Sequence, residues 1–502
     1  MDKLLIEKLD EVNIKVRCEK GIAKELSDFF TFKVPGHKFM PQYRNKMWDG
    51  TIKLYNLYSQ TIFSGLLKYV AKFAKDRNYL LEYDNPEDFA SLNYISRENV
   101  ENYIVDSLQP LANDELLKPH EHQVDAITHA INNDRCLLLS PTASGKSLII
   151  YTLVRYYMER IPEDKKILII VPATSLVSQM YSDFMEYSRI DNSFDTEKEV
   201  HVVFAGRDKT CKSAKIIIST WQSIYKLPKE YFEQYHTVFG DECHLFKSKS
   251  LTTLMTKLVN CPHRIGTTGT LDGTQTHKLV IEGLFGPVYD VITTKKLMDK
   301  KILASLEIDA ILLKYKVEET KDIRRAKYQD EMKWIINNKK RNTFITDMSV
   351  NLKGNTLILF QYVDEHGKIL HNMIKEKISD ERKCFFIHGG TDVELREEIR
   401  HIVEENEDAI IVASYGTFST GISIRKLHNI IFASPSKSRI RVLQSIGRQL
   451  RKSEGKKVAK LYDIGDDLSW KSYKNHTLRH FSERIRIYKA EKFNFKSIVI
   501  RL

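Results

Sequence analysis

The chain of 502 residues lacks the features that would set it apart from ordinary multidomain globular proteins. Its longest apolar runs, residues 167–171 and 357–360, are strand-length, whereas a bilayer span needs about 20 consecutive apolar residues. Neither a charged-then-apolar leader nor a lipidation motif opens it. The six cysteines, Cys18, Cys136, Cys211, Cys243, Cys261 and Cys384, have no paired spacing, so they read as reduced, mostly buried small apolar residues. The 12 prolines are dispersed, and there is no internal repeat, no low-complexity tract and no acidic nuclease cluster after Lys452. These absences argue against a membrane span, a zinc or dithiol centre and an attached nuclease. They predict a cytoplasmic protein, with no obligate protein partner indicated.

What is present is size and an uneven charge. A chain this long exceeds one hydrophobic core, so two or three domains are expected. The formal net charge of +12 resides in residues 437–502, where 18 Lys or Arg face six Asp or Glu. An acidic polymer is the natural partner of such an end, although composition does not separate DNA from RNA.

Periodicity divides the chain. To about Pro86 the pattern is short and mixed, with a helix at residues 22–29 and strand-like alternation at Thr51-Ile-Lys-Leu-Tyr. From Pro119, apolar runs at 136–139, 167–171, 201–204, 215–219, 237–239 and 264–266 alternate with helical stretches. The rhythm resumes after about Leu303 with 356–360, 384–387, 409–413, 429–433 and 458–463. Strands alternating with helices predict parallel βαβ units, hence two successive α/β domains. Leu478, Phe481, Ile485 and Tyr488 are spaced to share one face of a final helix.

Three motifs carry chemistry. In Leu137-Leu-Leu-Ser-Pro-Thr-Ala-Ser-Gly-Lys-Ser147 a strand enters a small-residue loop that opens a helix. Backbone N–H groups of such a loop (Thr142, Ala143, Ser144 and Gly145) surround phosphate oxygens, Lys146 reaches the β- and γ-phosphates, and the Ser147 hydroxyl suits Mg²⁺. Ser140 replaces the first glycine of the usual pattern. Asp241-Glu242-Cys243-His244 follows an apolar run, placing Asp241 to hold Mg²⁺ and Glu242 to orient and deprotonate water. In Gln444-Ser-Ile-Gly-Arg-Gln-Leu-Arg451, Arg448 and Arg451 share a helix face, as arginines that stabilise a transferred phosphoryl group do. Together these pieces mean hydrolysis of a nucleoside triphosphate.

The order of these pieces resembles the superfamily 2 helicases of the DExH type, over about residues 118–460. The resemblance implies two tandem RecA-like doubly wound parallel-sheet motor domains preceded by a small α+β domain. The expected divisions are 1–90 (small nucleic-acid-binding domain), 91–118 (connector), 119–295 (first motor domain), 296–465 (second motor domain) and 466–502 (basic helical tail). By the same resemblance Gln123 reads adenine, and Pro172 (in Val171-Pro-Ala-Thr-Ser-Leu-Val-Ser-Gln179) contacts the nucleic-acid backbone. Thr220 and Trp221 (in Ser219-Thr-Trp-Gln222) do likewise, while His244, Thr268, Thr270 and Gln444 couple hydrolysis to movement. Gly269 and Ser423 depart from the family pattern.

Ahead of the motor, Phe32-Lys-Val-Pro-Gly-His-Lys-Phe-Met-Pro-Gln-Tyr-Arg-Asn-Lys-Met-Trp-Asp-Gly-Thr-Ile-Lys-Leu-Tyr55 interleaves basic and aromatic residues. Lys38, Arg44 and Lys46 can meet phosphates, and Tyr43 and Trp48 can stack on bases, although Trp48 could equally belong to the domain's own core. The pairing of this segment with the motor resembles the branched-DNA helicases of T-even-like phages. It implies ATP and Mg²⁺ as cofactors, forks, Holliday junctions and R-loops (an RNA–DNA hybrid) as substrates, and recombination, repair and fork rescue in the host bacterial cytoplasm. The residues alone also admit an ATP-dependent RNA helicase or a non-catalytic DNA-binding or annealing protein.

Overall fold

The computed structural model describes residues 2–91, 93–246, 248–271, 274–421, 424, 426–435, 438–450 and 458–502. Apart from the loop tip Pro141–Ala143, the chain divides at Ile292 and Thr293 into two compact units.

The first unit begins with a four-stranded sheet in the order Thr61–Phe63, Asn13–Arg17, Lys3–Lys8, Leu80–Tyr83. The helices Lys20–Phe29 and Leu67–Asp76 bury Ile22, Leu26, Val70 and Phe73 in the same core as Leu4, Ile6, Ile14 and Val16. A hairpin of Thr31–Lys33 with Thr51–Lys53 projects the basic-aromatic segment between its arms. The expected connector is helical in part, over Arg97–Asn102 and Tyr103–Leu108. It is no loose linker, because Val100, Ile104 and Leu108 are buried with the core of the domain that follows.

That domain is a seven-stranded, wholly parallel sheet in the order Val200–Val203, Ile216–Thr220, Lys166–Val171, Tyr235–Gly240, His263–Thr268, Arg135–Leu139, Val288–Asp290. The continuous apolar runs follow from burial on both faces. Ile167, Ile169 and Val171 enter one core, while Leu168 and Ile170 enter the other.

The second unit repeats the plan: Cys384–Ile387, Ile410–Ser414, Thr356–Phe360, Asn429–Phe432, Val458–Asp467, Ser305–Lys314, Asn494–Arg501, all parallel where paired. The two doubly wound parallel sheets and the small leading domain match the expected architecture. The C-terminal segment differs from a helical tail. Helix His476–Ala490 is followed by strand Asn494–Arg501, which pairs with Ser305–Lys314 and so belongs to the sheet. The helix buries Phe481, Arg484, Ile487 and Tyr488, with Arg484 taking a place expected to be apolar. Its guanidinium finds a carboxylate inside, Asp463, so burying it does not strand a charge. No helix among the described residues is long and apolar enough to cross a membrane.

Candidate functional site

The phosphate-loop motif runs from strand Arg135–Leu139 into helix Lys146–Met158. Ala143 (φ 64°) and Gly145 (φ 83°) are left-handed, the backbone form that gathers successive N–H groups into an anion-binding concavity. Glycine is favoured at 145 by its φ, and a Cβ there would displace the Gln123 amide from the loop. The loop is braced from within. Ser140 Oγ lies 2.5 Å from Ser144 Oγ, so the residue in place of the usual glycine is a strut. The Ser144 carbonyl accepts from Gln123 Nε2 at 3.2 Å and lies 3.0 Å from His122 Nε2. Lys146 Nζ crosses the loop to donate to the Ser140 carbonyl at 3.2 Å. Gln123, expected to read a base, is buried, with its Oε1 accepting from His120 N–H at 2.8 Å and its amide holding Ser144. Here one end of its amide caps its own helix and the other fastens the loop.

Strand Tyr235–Gly240 delivers Asp241, whose Oδ1 accepts from the Thr267 hydroxyl at 2.8 Å. Burial, and then the adjacent Glu242 carboxylate, push the Asp241 carboxyl above its ordinary range, against the pull of Lys146 and Thr267. A carboxylate in that position gains most from a cation placed beside it. Glu242 has φ 51°, strain of about 1–3 kcal/mol for a residue with a side chain. His244 Nδ1 sits 3.1 Å from Thr268 Oγ1 and 3.2 Å from Glu242 Oε2. Because Thr268 gives its one proton to the Thr270 carbonyl at 3.1 Å, the contact with His244 assigns the Nδ1–H tautomer. Cys243 Sγ donates to the Gly240 carbonyl at 3.0 Å and is buried, with its thiol pushed well up by that burial. It is a packing residue.

Lys146, Asp241, Glu242, His244, Thr268 and Thr270 thus follow the carboxyl ends of three adjacent strands, where α/β sheets place ligands. Ser147 opens the same helix as Lys146. Thr267, His122 and the Ser140–Ser144 strut were not singled out in the sequence; their only signal is adjacency to recognised motifs.

At the same rim, Val171 and Thr220 end neighbouring strands. Gln222 Nε2 donates to the Pro172 carbonyl at 3.3 Å, joining the two expected backbone-contact segments. Thr220 is only 5% exposed and its hydroxyl pairs with Ser223 at 2.8 Å, so it shapes the turn. Trp221 is half-buried edge-on to Tyr225, and Gln222, absent from the expected set, is exposed. Gln444 is half-buried on helix Arg439–Gln449. The Arg448 side chain, Arg451 and Ser423 lie outside the described residues.

In the leading domain, Lys38, Tyr43, Arg44, Lys46 and Trp48 line one groove of about 1000 Å³ with Met47, Asp49, Thr51 and Lys53. Trp48 is half-buried, donates from Nε1 to the Thr51 carbonyl at 2.7 Å, and forms groove wall. The Tyr43 ring stands edge-on to His37 at 4.8 Å. Phe39 and Met47, beside these residues in the chain, are 78% and 74% exposed.

Three family models match: DNA helicase UvsW, N-terminal, at residues 4–84; type III restriction enzyme, res subunit, at 116–273; and helicase conserved C-terminal domain at 339–453. The chain is 34% identical over 506 residues to the ATP-dependent DNA helicase uvsW of enterobacteria phage T4, covering 98% of each. It is 24% identical over 400 residues to the DNA 3'-5' translocase XPB2 of Sulfurisphaera tokodaii, covering 73% of this chain and 85% of that one. The crystal structure of T4 UvsW aligns with a TM-score of 0.53 at 33% identity, over 99% of both chains. The chain therefore belongs to the UvsW family of superfamily 2 DNA helicases.

Proposed function

We propose that this chain is an ATP-dependent DNA helicase whose substrate is branched DNA: forks, Holliday junctions and R-loops met in recombination, repair and fork rescue. The carrying observation is that one unit holds, apart from the loop tip Pro141–Ala143, a phosphate loop whose Lys146 acts on the buried Asp241 at a strand end, and also a basic-aromatic groove. The residues fit a Mg²⁺–nucleotide. Lys146 bridges its loop through a carbonyl that a phosphate can replace, and Asp241 is a buried acid short of positive charge. Mg²⁺ characteristically takes one or two carboxylates and completes its shell with phosphate oxygens and water. Asp241 and Ser147 would hold it; bound there, it neutralises phosphate charge.

The chain's own groups do the rest. The loop N–H groups from Thr142 to Gly145 and the Lys146 ammonium bind and orient the phosphates. Glu242 takes the proton of the attacking water, and His244, whose Nδ1 lies beside both Glu242 Oε2 and Thr268 Oγ1, senses the state of that acid and passes it to Thr268 and Thr270. Arg448 and Arg451 meet the charge developing on the transferred group. Gln444, Pro172, Trp221 and the groove residues contact DNA or couple its movement to hydrolysis, and Gln123 serves adenine recognition through the loop it fastens.

The test is steady-state ATP hydrolysis and strand separation by the wild type and Lys146→Ala, with single-stranded DNA, duplex, a four-way junction, a fork and RNA. Hydrolysis is expected to be stimulated most by the junction or fork and abolished in the variant. Stimulation by RNA alone would refute the DNA assignment, and none at all would refute the motor.

A further inference from the structure

Helix Gln275–Phe285 belongs to two cores at once. Leu279 is buried among the leading domain's apolar residues, whereas Val280, Ile281, Leu284 and Phe285 are buried in the motor domain. Between them Glu282 is fully buried, and its carboxylate accepts three hydrogen bonds, from both sides. Oε1 accepts from Lys68 Nζ and from the Val288 N–H, each at 3.0 Å, and Oε2 accepts from the Tyr69 hydroxyl at 2.6 Å. Two of those three donors come from the leading domain. A buried carboxylate that loses a donor is left with an uncompensated charge, so this seam resists sliding.

Backbone approach removes the remaining slack. A Cβ on Gly65 would run into the Glu282 carbonyl, and one on Gly283 would lie 2.9 Å from the Phe63 ring. At the helix end, Phe285 reaches the hydrolytic strands. Cβ atoms on Gly240 and Gly266 would lie 2.6 and 3.0 Å from its ring, and the ring packs 5.1 Å from Phe246. Gly240 directly precedes Asp241, and Gly266 directly precedes Thr267, the donor to Asp241. At the other end, the groove strand Thr51–Lys53 continues into Leu54, which packs against both cores. Closely packed elements of this kind pass displacements on discretely, because voids to absorb them are missing.

We propose that helix Gln275–Phe285 transmits DNA engagement at the groove to the Asp241 and Thr267 strand ends, with Glu282 as the positioning residue that locks the groove-bearing domain to it. This rests on the reading of the groove as the DNA-binding surface. Glu282 touches no reacting atom; it decides whether binding at the groove is felt at the acid pair.

The experiment uses the full chain and Tyr69→Phe, which deletes one hydroxyl from the seam, with Glu282→Gln as a second variant. Four-way-junction affinity, the kcat and KM for ATP with and without saturating junction, and Tm are measured for each. The expected result for Tyr69→Phe is unchanged hydrolysis without DNA and junction affinity within about twofold. Junction-stimulated kcat falls about fivefold, as for coupling residues remote from either ligand. Stimulated kcat at the wild-type value in both variants would overturn the proposal. So would a loss equal with and without DNA that tracks a fall in Tm, since the seam would then only hold the fold. A separate arm, Trp48→Ala, reports on the groove. Junction affinity unchanged by it would remove the groove reading, and this inference with it, whatever the seam variants do.

Discussion

Arg484→Met is expected to destabilise the second unit by roughly 3–5 kcal/mol, the cost of leaving a buried charge unpaired. Arg484 and Asp463 have side chains 1% and 0% exposed. Arg484 Nε lies 2.9 Å from both carboxylate oxygens, Nη2 lies 2.8 Å from Oδ1, and the Tyr488 hydroxyl donates to Oδ2 at 2.8 Å. Burial works against the guanidinium charge, yet the Asp463 carboxylate outweighs it and holds that pKa above its ordinary value. Methionine keeps the apolar stem and leaves Asp463 with the Tyr488 proton for its charge. In a unit of this size 1 kcal/mol moves Tm by about 2–4 °C, so a fall of about 6–20 °C is expected. Trp334, edge-on to Tyr315 at 5.0 Å, and Trp470 both lie in the second unit and report its unfolding by fluorescence. Arg484→Met with Asp463→Leu should recover most of the loss, short of about 1–3 kcal/mol for the stranded Tyr488 hydroxyl. A single variant as stable as wild type, or a double no better than the single, would refute the reasoning.

Asp241→Asn should abolish hydrolysis yet raise Tm at neutral pH without Mg²⁺ or nucleotide. Folding raises the Asp241 pKa, so the folded chain holds that proton more tightly than the unfolded chain, and stability is lost as pH rises through the folded value. The difference between variant and wild type should therefore vanish below the unfolded value near 3.8, and a gap unchanged with pH would contradict it. Lys38→Ala, at the groove wall, should weaken junction binding and lower the slope of log K against log salt by about 1, read from anisotropy titrations. An unaltered slope would show that no phosphate is met there. Gly145→Ala should reduce ATP affinity at least about tenfold, because the φ of 83° and the closeness of Gln123 both oppose a side chain. Wild-type affinity, measured by isothermal titration calorimetry, would count against the loop geometry.

Much of the fold was legible because burial on both sheet faces produces continuous apolar runs. Residues 167–171 and 356–360 announce strands that Lys166–Val171 and Thr356–Phe360 supply. Strands that alternate polar with apolar escaped the same reading. Ser305–Lys314 and Asn494–Arg501 lie toward the sheet edge and expose alternate residues, so they do not look like the central strands. Hydrophobic spacing predicts the final helix with Ile485 on its buried face, while the structure buries Arg484 and Ile487. Hydrophobic periodicity cannot see a guanidinium whose carboxylate partner lies 21 residues away in the chain.

By itself the sequence determined the chemistry-bearing constellation and its order: Lys146 after a strand, Asp241 and Glu242 after another, and a basic-aromatic segment in front. Such motifs are local, because phosphate binding needs a loop and a helix N-terminus that are contiguous in the chain. Tertiary structure alone decided what these residues lean on. Thr267 against Asp241, Gln123 and His122 against Ser144, Trp48 as groove wall, and Glu282 shared between two cores join positions up to 214 residues apart. Those contacts depend on strand order and helix packing. Both arise from the summed burial of many side chains, and no short stretch of sequence encodes them.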